Sequence, residues 1–141
     1  MKPTTLYTFG YEGLEIDAFI CRLQEVGVQT VVDVRELPLS RKKGFSKTAL
    51  SARLADEGIA YCHVPALGCP KDVRDAYRLD SDWDRYTRGF LKHLKQQDAP
   101  VRELATLTRR TTACLVCFEA DFSACHRTYV GRAAQGVRDP D

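Results

Sequence analysis

Short apolar runs alternate with longer amphipathic stretches, and this alternation limits the fold more than any other feature of the sequence. Strand signals cover residues 6–11, 30–34, 60–64 and 113–118. Helix signals lie at residues 14–26, 46–57, 72–77, 82–97 and 101–109, and a last one runs from Ser123 as N-cap to about residue 135. Strands joined through helices form parallel sheets. The sequence therefore predicts one α/β domain over residues 1–141, with a mostly parallel sheet of about four to five strands and helices on both faces.

Composition narrows the functional classes. A chain of 141 residues with 44% hydrophobic content buries a core without metal or disulfide support. A net charge of +2 gives no overall positive field, so nucleic-acid binding needs a local basic cluster. The sequence has no signal-peptide pattern and no apolar run of about 18 residues, which predicts a cytoplasmic protein without membrane contact. The six cysteines are then expected to be thiols, with Cys21 and Cys114 in the core.

Polar residues follow each predicted strand. Tyr11 ends the first, Asp33 and Arg35 the second, His63 the third and Glu119 the fourth. The carboxyl ends of parallel strands lie at one edge of a sheet, where ligands of α/β proteins bind. The residues expected to converge on one cleft there are Tyr11, Arg35, Glu119, His126 and Arg127.

A basic segment, residues 35–47, leaves this edge. It carries five positive residues and one negative residue. Arg41, Lys42 and Lys43 can neutralise phosphates, Ser40 can donate to phosphate oxygens, and Phe45 can stack on a base. The alternative is a solvated loop without a ligand.

Two charged residues at the strand ends each allow two interpretations. Arg35 either grips a phosphate with its planar fork or pairs with Asp33 and fixes the loop. Glu119 is either a general base or the partner of an arginine.

The triplet Cys125, His126 and Arg127 falls in the first turn of the last predicted helix. Free N–H groups and the helix dipole favour anions there and lower the pKa of a thiol. Cys125 is thus a candidate nucleophile, and His126 and Arg127 are candidate anion ligands. Alternatively, Cys125 packs under the helix. Zinc sites normally combine several short-range ligand pairs, and the sequence is interpreted without a metal or a cofactor.

Three ordered motifs resemble the DUF488 family of bacterial and archaeal proteins. They are residues 8–13, residues 31–35 followed by Pro38, Ser40 and Arg41, and residues 117–121 with residues 125–127. The resemblance implies a compact α/β domain with a suspected link to DNA repair or nucleic-acid handling. Family members often continue into a final strand that residues 136–141 do not supply. An edge strand is then missing, or a partner chain supplies it in a homodimer.

The leading hypothesis is a protein that binds phosphate-bearing nucleic acid or nucleotide in a basic cleft, with DNA repair as its setting. Its nucleic-acid or phosphate ligands are Tyr11, Arg35, Ser40, Arg41, Lys42, Lys43, His126 and Arg127. One alternative is a small-molecule hydrolase or transferase that uses Cys125 and Glu119. A second alternative is a non-catalytic homodimeric module.

Overall fold

The computed structural model describes residues 6–11, 13–35, 44–117 and 127–135. The strands are β1 Leu6–Gly10, β2 Thr30–Asp33, β3 Ala60–His63 and β4 Ala113–Cys117. The helices are α1 Ile16–Glu25, α2 Lys47–Asp56, α3 Lys71–Asp80, α4 Trp83–Lys95, α5 Asp98–Arg110 and α6 Arg127–Gln135, and a short 3₁₀ turn covers Pro65–Leu67. The predicted α/β class is confirmed.

The sheet has the strand order β1-β4-β2-β3, and all its strand pairs are parallel. Leu115 in β4 lies opposite Thr8 of β1 and Val32 of β2. The two central strands are buried along their whole length, whereas the edge strands β1 and β3 are partly exposed. Central strands that are apolar on both faces are typical of parallel sheets covered by helices.

Helices cover both faces of the sheet, as predicted. On the face that we call the α1/α2 face, Phe19 and Leu50 pack in one cluster with Val31 of β2. On the opposite face, Phe90 of α4 and Leu104 of α5 belong to a second cluster. The chain crosses from β1 to β2 and on to β3 over the α1/α2 face and returns to β4 over the other. This change of face keeps every crossover right-handed.

Helix limits differ from the predictions where local signals are weak. Helix α3 continues to Asp80 because no glycine or proline stops it before Ser81, which takes a left-handed conformation with φ 52°. Helix α5 begins at Asp98 and not at Val101, with Pro100 in its first turn. The predicted N-cap Ser123 lies outside the described residues.

One of the two cysteines predicted in the core is buried and the other is exposed. Cys114 is fully buried in β4, as predicted. Cys21 is exposed, so its assignment to the core is wrong; the helix buries Phe19, Ile20 and Leu23 and turns Cys21 away from the sheet. Cys117 at the end of β4 is disulfide-bonded, which the expectation of thiols did not include.

In the described part of the chain, no helix combines the length and the apolar character that crossing a membrane requires.

Gly44, the residue before Phe45, has little room for a side chain. Its φ is +89°, and a Cβ there would lie 2.8 Å from Cβ of Ile16. Gly58 has a similar φ of +73°, but a Cβ there would meet nothing within 4 Å. We expect Gly58→Ala to lower the free energy of unfolding by about 1 kcal/mol through backbone strain. Gly44→Ala should cost about 2–4 kcal/mol because overpacking is added to that strain.

Urea denaturation of the two variants measures both losses. Equal losses would show that the contact with Ile16 does not constrain the chain before Phe45.

Candidate functional site

A buried ion pair lies at the carboxyl end of β2. Nε and Nη2 of Arg35 donate to the two carboxylate oxygens of Asp33 at 2.8 and 2.6 Å, and the backbone N–H of Arg35 donates to Oδ1 at 3.1 Å. Asp33 is fully buried and Arg35 is 8% exposed. Residues two apart in an extended chain share a face, which allows this forked contact.

The guanidinium of Arg35 also ties distant parts of the chain together. Its Nη1 donates to the hydroxyl of Tyr11 at 3.1 Å and to the carbonyl oxygen of Phe45 at 2.6 Å. Four of its five N–H groups are therefore engaged within the protein. This geometry favours the interpretation in which the Asp33–Arg35 pair fixes the loop, because the fork that would grip a phosphate already holds a carboxylate.

Two side chains of β3 complete the cluster. The hydroxyl of Tyr61 donates to Oδ2 of Asp33 at 2.6 Å, and Nε2 of His63 lies 2.7 Å from the carbonyl oxygen of Arg35. Tyr61 was not predicted as a site residue. Its position two residues before His63, on the same face of a strand beside Asp33, is the signal that identifies it.

Burial and charge set the protonation states of this cluster. Burial, followed by the hydrogen bond to Asp33, raises the pKa of Tyr61 above its ordinary value. Burial alone would lower the pKa of Arg35, but the hydrogen bonds and the negative charge of Asp33 outweigh it and raise that pKa. Tyr61 is therefore a neutral donor and Arg35 a permanent cation.

The rings of Tyr11 and Phe45 belong to the apolar cluster next to the ion pair. Their rings stack with centroids 4.2 Å apart, and Phe45 meets the edge of Phe19 at 5.3 Å. Phe45 is fully buried. The prediction that Phe45 stacks on a base is therefore wrong, because its ring is buried in the core and leaves no exposed surface for a base.

Helices α2 and α6 begin at the same edge of the sheet, since each follows the carboxyl end of a parallel strand. Neither has an acidic residue in its first turn, whereas α1 has Asp17 there. Ser46 is the N-cap of α2, but its hydroxyl accepts no capping hydrogen bond. The first turns of α2 and α6 thus lack a carboxylate of their own to offset the positive end of the helix dipole.

The structure brings together two of the predicted site residues, Tyr11 and Arg35. Arg127 is the first residue of α6. The other predicted site residues lie outside the described residues; they are Ser40, Arg41, Lys42, Lys43, Glu119, Cys125 and His126. Among residues that are described, no group of three or more His, Cys, Asp or Glu side chains is arranged to hold a metal ion.

Comparison with known families agrees with the motifs. The family model described as "Domain of unknown function DUF488" matches residues 15–134. This chain belongs to the DUF488 family. The match spans β2, β3 and β4, so Asp33, Arg35, Tyr61 and His63 lie within the part of the chain that defines membership. No curated protein and no solved structure matches the chain.

The central place of the ion pair predicts a large stability loss when one partner is removed. Asp33→Ala leaves the guanidinium of Arg35 buried without a counter-charge, and we expect the free energy of unfolding to fall by about 3–5 kcal/mol. Asp17 pairs with Arg53 at 2.6 Å but is 83% exposed, so it is a matched control. Asp17→Ala should cost less than about 1 kcal/mol.

Denaturant unfolding of both variants provides the test. Similar small losses from the two substitutions would contradict a structural role for the buried pair.

Proposed function

We propose that this DUF488-family protein binds phosphate-bearing nucleic acid or nucleotide at the carboxyl edge of its sheet. The observation that carries the proposal is the anchoring of the basic segment at both ends. Arg35 begins the segment, and its guanidinium donates to the carbonyl oxygen of Phe45 near the other end. One buried side chain thereby links residues 35 and 45, which flank Ser40, Arg41, Lys42 and Lys43 in the sequence, at the edge where ligands of this fold class bind.

Anchoring matters for binding because a freely moving charged loop loses conformational entropy when it contacts a ligand. Fixed ends restrict the conformations of the intervening residues before the ligand arrives. The basic residues of the segment are close together in the sequence, which supplies the local basic cluster that a chain with a net charge of only +2 needs in order to bind nucleic acid.

The surrounding helix ends support an anionic ligand. Helix α2 starts at Lys47, directly after the basic segment, and its first turn has no carboxylate. Helix α6 starts at Arg127, also without an acidic residue in its first turn. Backbone N–H groups at helix N-termini favour phosphate oxygens, particularly where no side chain of the same turn competes for them.

The proposal divides the predicted site residues into two roles. Arg41, Lys42, Lys43 and Arg127 supply charge to phosphate, with Ser40 and His126 as hydrogen-bond donors. Tyr11 and Arg35 hold Phe45 in place, Tyr11 by stacking on its ring and Arg35 by donating to its carbonyl oxygen. DNA repair is the biological setting that we propose for this binding, in accordance with the sequence resemblance.

Charge reversal in the basic segment tests the proposal. We expect the triple variant Arg41→Glu, Lys42→Glu, Lys43→Glu to lose most of its affinity for a single-stranded DNA oligonucleotide at low salt. Each lost phosphate contact should reduce the salt dependence of log affinity by about one unit. Fluorescence anisotropy at several salt concentrations measures both quantities.

The matched control is the triple variant Arg22→Glu, Arg109→Glu, Arg110→Glu. These residues lie in the last turns of α1 and α5, next to the amino ends of the strands, and the net charge change is the same. The control should keep most of the affinity. Equal losses in both variants would show that only total charge matters, and an unchanged affinity in the segment variant would reject the basic segment as the binding surface.

A further inference from the structure

His63 has a fixed hydrogen-bonding pattern. Its Nε2 lies 2.7 Å from the carbonyl oxygen of Arg35, and a carbonyl can only accept. Nε2 must therefore carry the hydrogen. In the neutral ring, Nδ1 then carries the lone pair, and it has no hydrogen-bond partner among the described residues.

The neighbouring carboxylate does not compete for Nδ1. Asp33 lies opposite His63 in the pairing of β2 with β3. Its two oxygens accept four hydrogen bonds, three from Arg35 and one from Tyr61. With that capacity filled and its charge balanced by Arg35, Asp33 is not the partner that a proton on Nδ1 would require. The partner must come from elsewhere.

The position of His63 places the lone pair of Nδ1 at the proposed binding edge. His63 is the last residue of β3, is half-buried, and lies on the α1/α2 face with Tyr61. Helix α2 packs against β3, and its N-terminal end is at the same edge of the sheet. An anion at the start of α2 is therefore on the side of the sheet that His63 occupies.

We propose that His63 is a direct ligand of the phosphate group and takes up a proton at Nδ1 when the phosphate binds. The proton comes from solvent, Nδ1–H donates to a phosphate oxygen, and Nε2–H keeps its bond to the carbonyl of Arg35. This inference rests on the proposed function and adds a pH-sensitive contact to it. The contact is charge-assisted, which makes it one of the stronger kinds of hydrogen bond.

Charged and titratable groups of β3, and of β2 and α2 that pack against it, affect the protonation of His63. They are Asp33 and Arg35 from β2 and its extension, Tyr61 from β3, and Lys47, Arg53 and Asp56 from α2. Arg53 is already paired with Asp17 and Glu57. The carboxylate closest in the sheet, Asp33, is neutralised by Arg35, so a bound phosphate is the dominant new charge that His63 meets.

NMR titration of the wild-type protein with an oligothymidylate tests the inference directly, because neither thymine nor a phosphodiester titrates between about pH 5 and 8. The three histidine signals are assigned with single glutamine variants. Saturating oligonucleotide should raise the pKa of His63 by about one, which corresponds to roughly tenfold tighter binding to the protonated form. His93 is the internal control, since its Nε2 contacts the carbonyl oxygen of Ala66 at 2.8 Å in the same way. Its pKa should not change.

The variant His63→Gln separates the two ring nitrogens. The glutamine amide can donate to the carbonyl of Arg35 in place of Nε2–H but has no equivalent of Nδ1. We expect its affinity for the oligonucleotide to fall about tenfold at pH 5.5 and to match wild type near pH 8. His93→Gln should bind like wild type at both pH values.

The outcomes distinguish the two proposals. Wild-type protein that binds no oligonucleotide at low salt overturns the proposed function and this inference together. Binding that is lost on charge reversal of the basic segment, but leaves the pKa of His63 unchanged, overturns only the inference about His63. A wild-type pH profile in His63→Gln also overturns it. If that variant does not fold, the titration of the wild-type protein still decides.

Discussion

The ion pair between Asp33 and Arg35 is the interaction on which the carboxyl edge of the sheet depends. Taking two charges out of water is costly, and here the cost is offset because four hydrogen bonds saturate the carboxylate and four guanidinium N–H groups are engaged. Apolar residues of similar volume often match the stability of a buried ion pair, but they would not link Tyr11, Phe45 and Tyr61 in one arrangement. The main effect of the ion pair is therefore to fix the relative positions of Tyr11, Phe45 and Tyr61.

Much of the fold follows from sequence patterns because strand and helix periods differ and because β2 and β4 are apolar on both faces. The order β1-β4-β2-β3 was not predictable in the same way, since it depends on packing between residues far apart in the chain. Cys21 shows the limit of periodicity: a phase error of one residue moves a helical side chain by about 100° and exposes it. Phe45 shows another limit, since neighbouring charges suggested exposure, whereas the ring is buried and stacks on Tyr11, which follows β1.

For the candidate site, the sequence identified the correct strand ends but not the roles of their residues. Asp33 and Arg35 two apart allow both a phosphate fork and an internal pair. Contacts with Tyr11 and with the carbonyl of Phe45, 24 and 10 residues away, favour the internal pair. No local pattern contains that information. Tyr61 was not predicted for the same reason. A tyrosine in a strand is common, and only the hydrogen bond to Asp33 in the neighbouring strand makes it part of the site.

The proposed binding site has two kinds of positive group. One kind would make binding depend on salt, and the other would make it depend on pH. Lysine and arginine in the basic segment stay charged throughout the physiological pH range, so the binding that we propose for them would vary with salt. His63 contacts the backbone carbonyl of Arg35, and under our proposal it adds a contact to phosphate that would vary with pH. Arg35 contacts both sides of this edge, since its guanidinium donates to the carbonyl oxygen of Phe45 and its own backbone carbonyl orients His63. The affinity of a ligand that contacts both kinds of group would therefore depend on both salt and pH.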